Sequence, residues 1–377
     1  MRQHQQQEPP VGLPSLVKQE KFLVIALAAV GISFFTEHSI LEAGKAASLI
    51  AAAALICVII LASTRVAHHA EVLAHKVGDP YGTMILTLSA VAVEVLILAI
   101  MMRTTTSPTL VRDTIYSAVM LDINGILGLA ALLGGLRHGE QPYNDDSSRT
   151  YSVMILTAMG ISMMVPEFIP AAKWHYYSAF TIGAMVALYA LFLRMQVGTH
   201  SYFFSYSYPR AKQASGEPAP DEDAENESSA LSISIILAGV LIIGFLAEFM
   251  SAFLNTSLEG SGAPPALMAV TVAVISAAPE IFTALRAALR NRMQSVVNIA
   301  MGASLSTVIL TVPVMEGIAL YTEQPFIMAM TPVQTVMVVI TLVVAAINLN
   351  DGQTNAIEGM THFVLFATFI MLTLLGL

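Results

Sequence analysis

Eleven long apolar runs dominate this sequence and constrain what it can fold into. A helix that crosses a bilayer needs roughly 20 mostly apolar residues. Hydrophobic residues make up 56% of the 377, and charged residues only 11%, compared with about 25% in soluble domains. Runs of this length favour helices over barrel strands. We therefore predict an all-α, polytopic membrane protein with about 11 transmembrane helices, over residues 22–36, 46–64, 82–102, 114–136, 151–170, 176–197, 230–254, 265–286, 294–313, 325–347 and 357–377.

Composition and motifs exclude several classes of function. The net charge of −9 and the lack of a basic cluster argue against nucleic-acid binding. The single cysteine, Cys57, leaves no partner for a disulfide within the chain. No H-E-x-x-H, G-x-S-x-G or P-loop pattern occurs. We therefore predict neither an enzyme nor a cofactor; the lipid bilayer is the partner that composition predicts, and the sequence does not set the oligomeric state.

Basic residues orient the chain across the membrane. With the N-terminus placed inside, the inside segments hold 13 Lys and Arg residues and the outside segments hold the other 4. Positive residues accumulate on the cytoplasmic side. The bias predicts a cytoplasmic N-terminus. An odd number of spans then places the C-terminus outside.

A polar, acidic segment at residues 198–229 divides the spans into six and five. If the first span is peripheral, five spans lie in each half, and the second half has the opposite orientation. Such inverted repeats are a common transporter architecture, with the binding site where the halves meet. The predicted organisation is a cytoplasmic tail (1–21), a peripheral first helix and loop (22–45), a first five-helix repeat (46–197), an acidic cytoplasmic linker (198–229) and a second, inverted repeat (230–377).

Three features recur in the same order in both halves. The second span of each half carries one carboxylate, Glu94 and Glu280. The next span carries a small and polar patch, residues 122–125 and 302–307. The first span ends near a further acid, Glu71 in one half and Glu248 in the other. Three paired features in one order support a duplication.

The membrane-embedded acids need something to offset their insertion. A carboxylate there costs about 2.5–3.5 kcal/mol on insertion scales. A proton, a bound cation or a partner residue could offset it; the plainer alternative for Glu94 is a permanently protonated or interhelically bonded acid. Pro279, just before Glu280, frees a backbone carbonyl that could bind a cation, or it produces only a kink.

Together these groups predict a site of hard oxygen ligands. Two facing carboxylates with hydroxyl and amide oxygens suit Ca²⁺, or Na⁺ with less charge. Neighbouring carboxylates also favour protonation of one of them when the metal leaves, so the same groups bind cations or protons in turn, which is the basis of antiport. The candidate neutral ligands are Asn124, Ser304, Ser306 and Thr307, for which interhelical hydrogen bonding is the alternative. Asp122 is either a third acid of the site or a structural group.

A histidine cluster lies near the end of the second span. His68, Glu71 and His75 share one helical face. The first alternative is a zinc site, which would need a fourth ligand. A pH-responsive cytoplasmic mouth is the second alternative, because histidine titrates near neutrality, and a solvated helix end is the third.

The sequence resembles the calcium/cation antiporter (CaCA) superfamily in its CAX-like branch, with the bacterial ChaA-type cation:proton antiporters as the nearest pattern. The resemblance lies in the Glu94 and Glu280 segments and in residues 196–200, 247–249, 289–298 and 302–313. It implies that Glu94 and Glu280 are the central cation and proton ligands, and that Glu71 and Glu248 line the cytoplasmic approach. It also implies a location in the bacterial inner membrane. Where family members often have Gly-Asn before the acid, this chain has Ala90-Val91 and Ser276-Ala277. Fewer amide ligands favour a monovalent ion or a broader specificity.

The sequence therefore predicts a secondary antiporter that exports Ca²⁺ and/or Na⁺, with K⁺ as a further candidate, in exchange for protons by alternating access. The alternatives are a cation channel and an Na⁺(K⁺)/H⁺ antiporter restricted to monovalent ions. A channel needs a continuous pore, usually built from several subunits, and paired single acids fit alternating access better.

Overall fold

The computed structural model describes residues 19–77, 81–104, 107–197, 228–262, 264, 266–324 and 326–377. Each of the eleven apolar runs coincides with a helix or a continuous series of helices within these ranges. The α-helices are α1 Lys21–Glu42, α2 Lys45–Val77, α3 Tyr81–Thr104, α4 Leu110–Met120, α5 Leu127–His138, α6 Asp145–Met159, α7 Trp174–Val197, α8 Ser229–Leu258, α9 Ala266–Ser276, α10 Ala278–Leu289, α11 Met293–Ser306, α12 Val312–Thr322, α13 Pro332–Asn348 and α14 Ala356–Leu374.

In the described part of the chain, eight helices or helical series are long and apolar enough to cross a membrane. The bent pair α9–α10 makes a ninth, and α13, at 17 residues, is a shorter apolar helix. Helix α3 has 24 residues. The predicted all-helical, polytopic membrane fold is confirmed.

The third span of each half contains a π-helical turn. Residues Leu121–Ile126 join α4 to α5, and residues Thr307–Thr311 join α11 to α12. A π-turn inserts a residue into the helix and is frequent at functional sites. The two turns fall at or directly after the two small and polar patches, so the local irregularity repeats in both halves.

The second span of the second half is broken. Helices α9 and α10 meet at Ala277 with a bend of 56°. Pro279 occupies the first turn of α10, where its missing N–H removes no helical hydrogen bond. Glu280 also lies in that first turn. The interruption expected from Pro279 is therefore present, and it places a carboxylate at a helix N-terminus.

The first spans of the two halves, α2 and α8, pack against each other in antiparallel directions. The His69 ring contacts the Ser232 hydroxyl at 3.3 Å, near the end of α2 and the start of α8. At the other end, Gly260 lies beside the Lys45 ammonium group at the start of α2. Opposite directions for equivalent helices are what an inverted arrangement of the halves requires.

Helices α5 and α14, from opposite halves, approach so closely that their backbones touch. A Cβ added at Gly135 would lie 2.3 Å from the Ala356 nitrogen, and one at Gly359 would lie 2.2 Å from the Leu132 nitrogen. Small residues permit this approach between membrane helices. At the same end, strands β1 (Gln141–Pro142) and β2 (Gln353–Thr354) pair antiparallel.

Three predicted boundaries differ from the structure, each for a local reason. Helix α1 extends to Glu42, so the first run is a full-length span of 22 residues. The run at 294–313 continues to Thr322, because Pro313 occupies the first turn of α12 after the π-turn, where proline is tolerated. Helix α13 begins at Pro332 rather than at 325, because Thr331 and Gln334 form a capping box there. The tail at 1–18 and most of the linker, 198–227, lie outside the described residues.

Candidate cation site

Three carboxyl groups from both halves lie near one another inside the helix bundle. Glu94 comes from α3, Asp122 from the first π-turn and Glu280 from the first turn of α10. Asp122 interacts electrostatically with both of the others, and Glu280 with Glu94. Glu94 is 4% exposed and Asp122 2%. Because like charges in such a place repel, full ionisation requires a compensating cation.

Hydroxyl groups of the second π-turn bind Glu94 directly. Thr307 donates a hydrogen bond of 3.0 Å to Glu94 Oε2, and Thr311 donates one of 3.2 Å to the same oxygen. These two residues lie four apart and begin and end the π-turn. The third span of the second half thus holds the acid of the first half. Thr307 was a predicted ligand; Thr311, in the same motif, was not singled out.

Asp122 has one hydroxyl partner across the halves. Ser304 donates to Asp122 Oδ2 at 3.1 Å, so the predicted polar patches of the two halves touch each other. Ser306 instead donates to the carbonyl of Gly302 on its own helix. Of the predicted hydroxyl ligands, Ser304 and Thr307 therefore contact the carboxyl cluster, while Ser306 bonds to its own backbone.

Asn124 belongs to a different polar network. Its Nδ2 donates to Thr341 on α13 at 2.7 Å, and its Oδ1 lies 3.0 Å from His362 Nδ1 on α14. All three side chains are buried. The amide expected to face the carboxylates is thus already hydrogen-bonded to α13 and α14. The histidine in the last apolar run was the signal for this network.

Two oxygens of the cluster are left open. Glu94 Oε1 and Glu280 Oε2 are buried and accept no hydrogen bond. A buried carboxylate oxygen without a donor is unfavourable, and a proton or a cation would satisfy it. Across the described ranges, no three His, Cys, Asp or Glu side chains converge closely enough to hold one metal ion. A cation here would therefore complete its coordination with hydroxyl or water oxygens.

The predicted access residues do not share one mouth. Glu71 and Glu248 are both exposed. Because α2 and α8 are antiparallel, Glu71 lies near the level of Ser232, while Glu248 is 16 residues farther along α8, about 24 Å at 1.5 Å per residue. The expectation that both acids line the cytoplasmic approach does not fit this arrangement: they lie toward opposite ends of the bundle.

The structure describes the surroundings of only part of the histidine cluster. His68 is partly buried and its ring packs edge-on against the His69 ring, 5.5 Å between centroids. His69 is buried and contacts Glu20 and Ser232. The His75 side chain lies outside the described atoms, so the face predicted for His68, Glu71 and His75 stays a prediction.

Glu316 is a buried acid that the sequence analysis did not identify. Glu316 on α12 is 2% exposed and accepts hydrogen bonds from Ser178 and Thr181 on α7. It lies beyond Pro313, where the predicted span ended. Its position within a continuous helical series from Met293 to Thr322 was the signal that the proline concealed.

The chain matches the sodium/calcium exchanger protein family over residues 47–198 and 231–375. It is 31% identical over 356 residues to the putative ionic transporter y4hA of Sinorhizobium fredii, covering 93% of this chain and 95% of that one. It is 33% identical over 310 residues to the sodium-potassium/proton antiporter ChaA of Escherichia coli, covering 81% and 84%.

Solved structures share the fold. Native YfkE superposes with a TM-score of 0.73 at 18% identity, covering 94% of this chain and 99% of that one. The H⁺/Ca²⁺ exchanger CAX gives a TM-score of 0.62 at 14% identity, covering 94% and 88%. These likenesses span both halves and confirm the resemblance seen in the Glu94 and Glu280 segments. The chain belongs to the sodium/calcium exchanger protein family, within the CaCA superfamily.

Proposed function

We propose that this protein is a secondary cation:proton antiporter that exports Na⁺, K⁺ or Ca²⁺ in exchange for protons. The observation that carries the proposal is the cluster of buried Glu94, buried Asp122 and partly buried Glu280 at the contact between the halves, with open oxygens on Glu94 and Glu280. The similarity to proteins named as sodium-potassium/proton and Ca²⁺/H⁺ antiporters supports the same reaction class.

The cluster suits exchange because protons and cations compete for the same oxygens. In the described part of the chain, no Lys or Arg side chain forms an ion pair with any of the three acids. Their negative charge must be neutralised from outside the protein. Either protons or a cation can do this, and the binding of one displaces the other. Exchange is then coupled as long as the site changes sides only with protons or a cation bound.

The choice of cation follows from the neutral oxygens that remain. Asn124 is hydrogen-bonded to Thr341 and His362, so the neutral ligands near Glu94 are hydroxyl groups. Ca²⁺ takes 6–8 oxygens at about 2.3–2.6 Å, and charge count tunes its affinity. A site poor in amide oxygens binds monovalent ions with less competition from Ca²⁺. We therefore propose Na⁺ or K⁺ as the preferred cation and Ca²⁺ as a weaker one.

The test uses everted membrane vesicles with an acid interior, challenged in turn with Na⁺, K⁺ and Ca²⁺ across a pH series. We expect Na⁺ or K⁺ to dissipate the pH gradient at the lowest concentration, with saturation. If no cation dissipates the gradient in vesicles that contain the protein, antiport is wrong. Cation flux without any coupled proton movement would favour the channel instead.

We also propose that the N-terminus is cytoplasmic and the C-terminus outside, in the bacterial plasma membrane. Arg137, Arg149 and Arg292 support this orientation, since all three lie around the β1–β2 end of the bundle. Reporter fusions at residue 215 and at Leu377 should report the cytoplasm and the outside, respectively. Cytoplasmic signals from both fusions would contradict the proposal.

A further inference from the structure

A small cavity with an apolar wall and four polar lining residues lies beside Glu280, between α2, α3 and the α9–α10 break. Its volume is about 40 Å³, and its polar lining is the Glu280 carboxyl group with the hydroxyls of Ser63, Ser89 and Ser276. A buried water needs about 10–15 Å³ of such space. The cavity therefore has room for one small cation with a water molecule or two.

Two of the hydroxyls are already oriented as acceptors. Ser89 donates its hydroxyl proton to the carbonyl of Ile85, and Ser276 donates to the carbonyl of Ala273, each on its own helix. A hydroxyl that donates elsewhere still has two lone pairs. Both oxygens thus offer lone pairs to whatever occupies the cavity.

The other two polar groups of the lining are unpartnered. Ser63 is 5% exposed and its Oγ makes no hydrogen bond, and Glu280 Oε2 is buried and accepts none. Buried polar atoms normally have partners, so two unpartnered ones at the same small cavity indicate a ligand. Ser63 lies on α2, which carries none of the three clustered carboxyl groups.

We propose that this cavity is a subsite for one hard monovalent cation of the Na⁺ class, with the Ser63 hydroxyl as its ligand from α2. One carboxylate and three neutral oxygens match a single positive charge, whereas Ca²⁺ requires more oxygens and more negative charge. The subsite rests on the proposed antiport function and specifies its substrate class. It adds α2 to the helices that contact the cation.

The test compares Ser63→Ala with a matched control on the same helix. Ser48 is also fully buried, with an unpartnered hydroxyl, but it does not line the cavity. The purified full-length protein in detergent is titrated with radioactive Na⁺, and the same variants are assayed for Na⁺-driven dissipation of a pH gradient in everted vesicles. Both measurements are needed because binding does not depend on transport.

We expect Ser63→Ala to weaken Na⁺ binding and to raise the half-saturating Na⁺ concentration by about five- to tenfold, the effect of losing one ligand oxygen. Ser48→Ala should leave both values at wild-type level. Equal Na⁺ binding by the two variants, or a wild-type protein that binds no Na⁺, would overturn the subsite. Wild-type Na⁺ binding that Ser63→Ala weakens, without any cation-driven exchange, would overturn the antiport function and leave the subsite standing.

Discussion

Glu94 and Glu280 occupy equivalent spans of the two halves, yet their surroundings differ. Glu94 lies within a continuous helix, and two threonines of the other half saturate one of its oxygens. Glu280 lies at the start of a broken helix and borders a cavity. Each acid has one buried carboxylate oxygen that accepts no hydrogen bond.

This difference shows that residues at corresponding positions of the two halves need not be chemically equivalent. The Glu94 carboxylate is held in place by the third span of the second half, so its reach is fixed. The Glu280 carboxylate has the helix N-terminus, which favours negative charge, and the open space of the cavity. We expect Glu94 to contribute a rigid ligand and Glu280 an adjustable one.

The largest expected effect comes from removing either charge. Glu94→Gln and Glu280→Gln keep side-chain size and hydrogen bonding but cannot titrate. Each should abolish cation-driven dissipation of a pH gradient in everted vesicles, while immunoblots show normal membrane levels, since losing a buried carboxylate removes an insertion cost. Glu94→Asp, which keeps the charge, should retain part of the activity.

Glu259→Gln, in the exposed connection after α8, is the matched control and should have no effect. Near wild-type exchange by Glu94→Gln would show that this acid is not a cation and proton ligand. If only one of the two Gln variants were inactive, the other acid would be structural, and the comparison would become one between a ligand and a support.

A smaller effect is expected from the threonines that distinguish Glu94. A hydrogen bond to a charged group contributes about 1.5–3 kcal/mol. Thr311→Val should therefore raise the half-saturating cation concentration by about ten- to a hundredfold, measured in the same vesicles. Ser306→Ala, which removes only a bond to the backbone of Gly302, should leave it unchanged. Equal behaviour of the two variants would mean that the Thr311 bond does not influence the site.

Glu316 provides a buried acid outside the cluster. Its partners, Ser178 and Thr181, can bond to a glutamine equally well. Glu316→Gln should exchange cations at nearly the wild-type rate, unlike Glu94→Gln. Glu316→Leu leaves two hydroxyls without their acceptor and should lower the melting temperature of the purified protein by about 2–8 °C. Loss of exchange in Glu316→Gln would place this acid on the proton route.

The smallest effect is expected at the start of α1, outside the spans. Burial raises the pKa of Glu20, but hydrogen bonds and charge from Arg65 and His69 outweigh it and hold the pKa below its usual range. A lowered pKa means that the stabilisation is complete above the unfolded value of about 4.3 and disappears as the pH falls through the folded pKa.

Glu20→Gln should therefore melt a few degrees below the wild type at neutral pH, and the gap should shrink in acid well below pH 4. Differential scanning calorimetry of the two proteins across a pH series measures this difference in melting temperature. A gap that stayed constant with pH would show that the Arg65 ion pair adds no net stability.

The apolar runs predicted the helices well, because membrane burial requires a long apolar stretch wherever the chain crosses. Glu94, Glu280 and the break at Pro279 stood out for the same reason, since a charge or a proline is conspicuous in such a run. The partners of these residues were harder to predict. Nothing in the local sequence distinguishes Thr311, which binds Glu94, from Ser306, which bonds to its own helix.

The direction of Asn124 was equally hidden, because it is set by His362 and Thr341, more than 200 residues away in sequence. Glu316 was missed because a proline at 313 reads as a helix end until the preceding π-turn is known. Tertiary contacts, rather than local pattern, decided each of these cases.

The backbone contact between α5 and α14 has a consequence for movement. With Gly135 and Gly359 each against the backbone of the other helix, and β1 paired to β2 beside them, the two halves cannot separate there without breaking main-chain hydrogen bonds. In the proposed exchange cycle this joint therefore stays closed, and the two halves move relative to each other elsewhere in the bundle. We expect that movement on the α2–α8 side, where the Val66 side chain packs against Gly239.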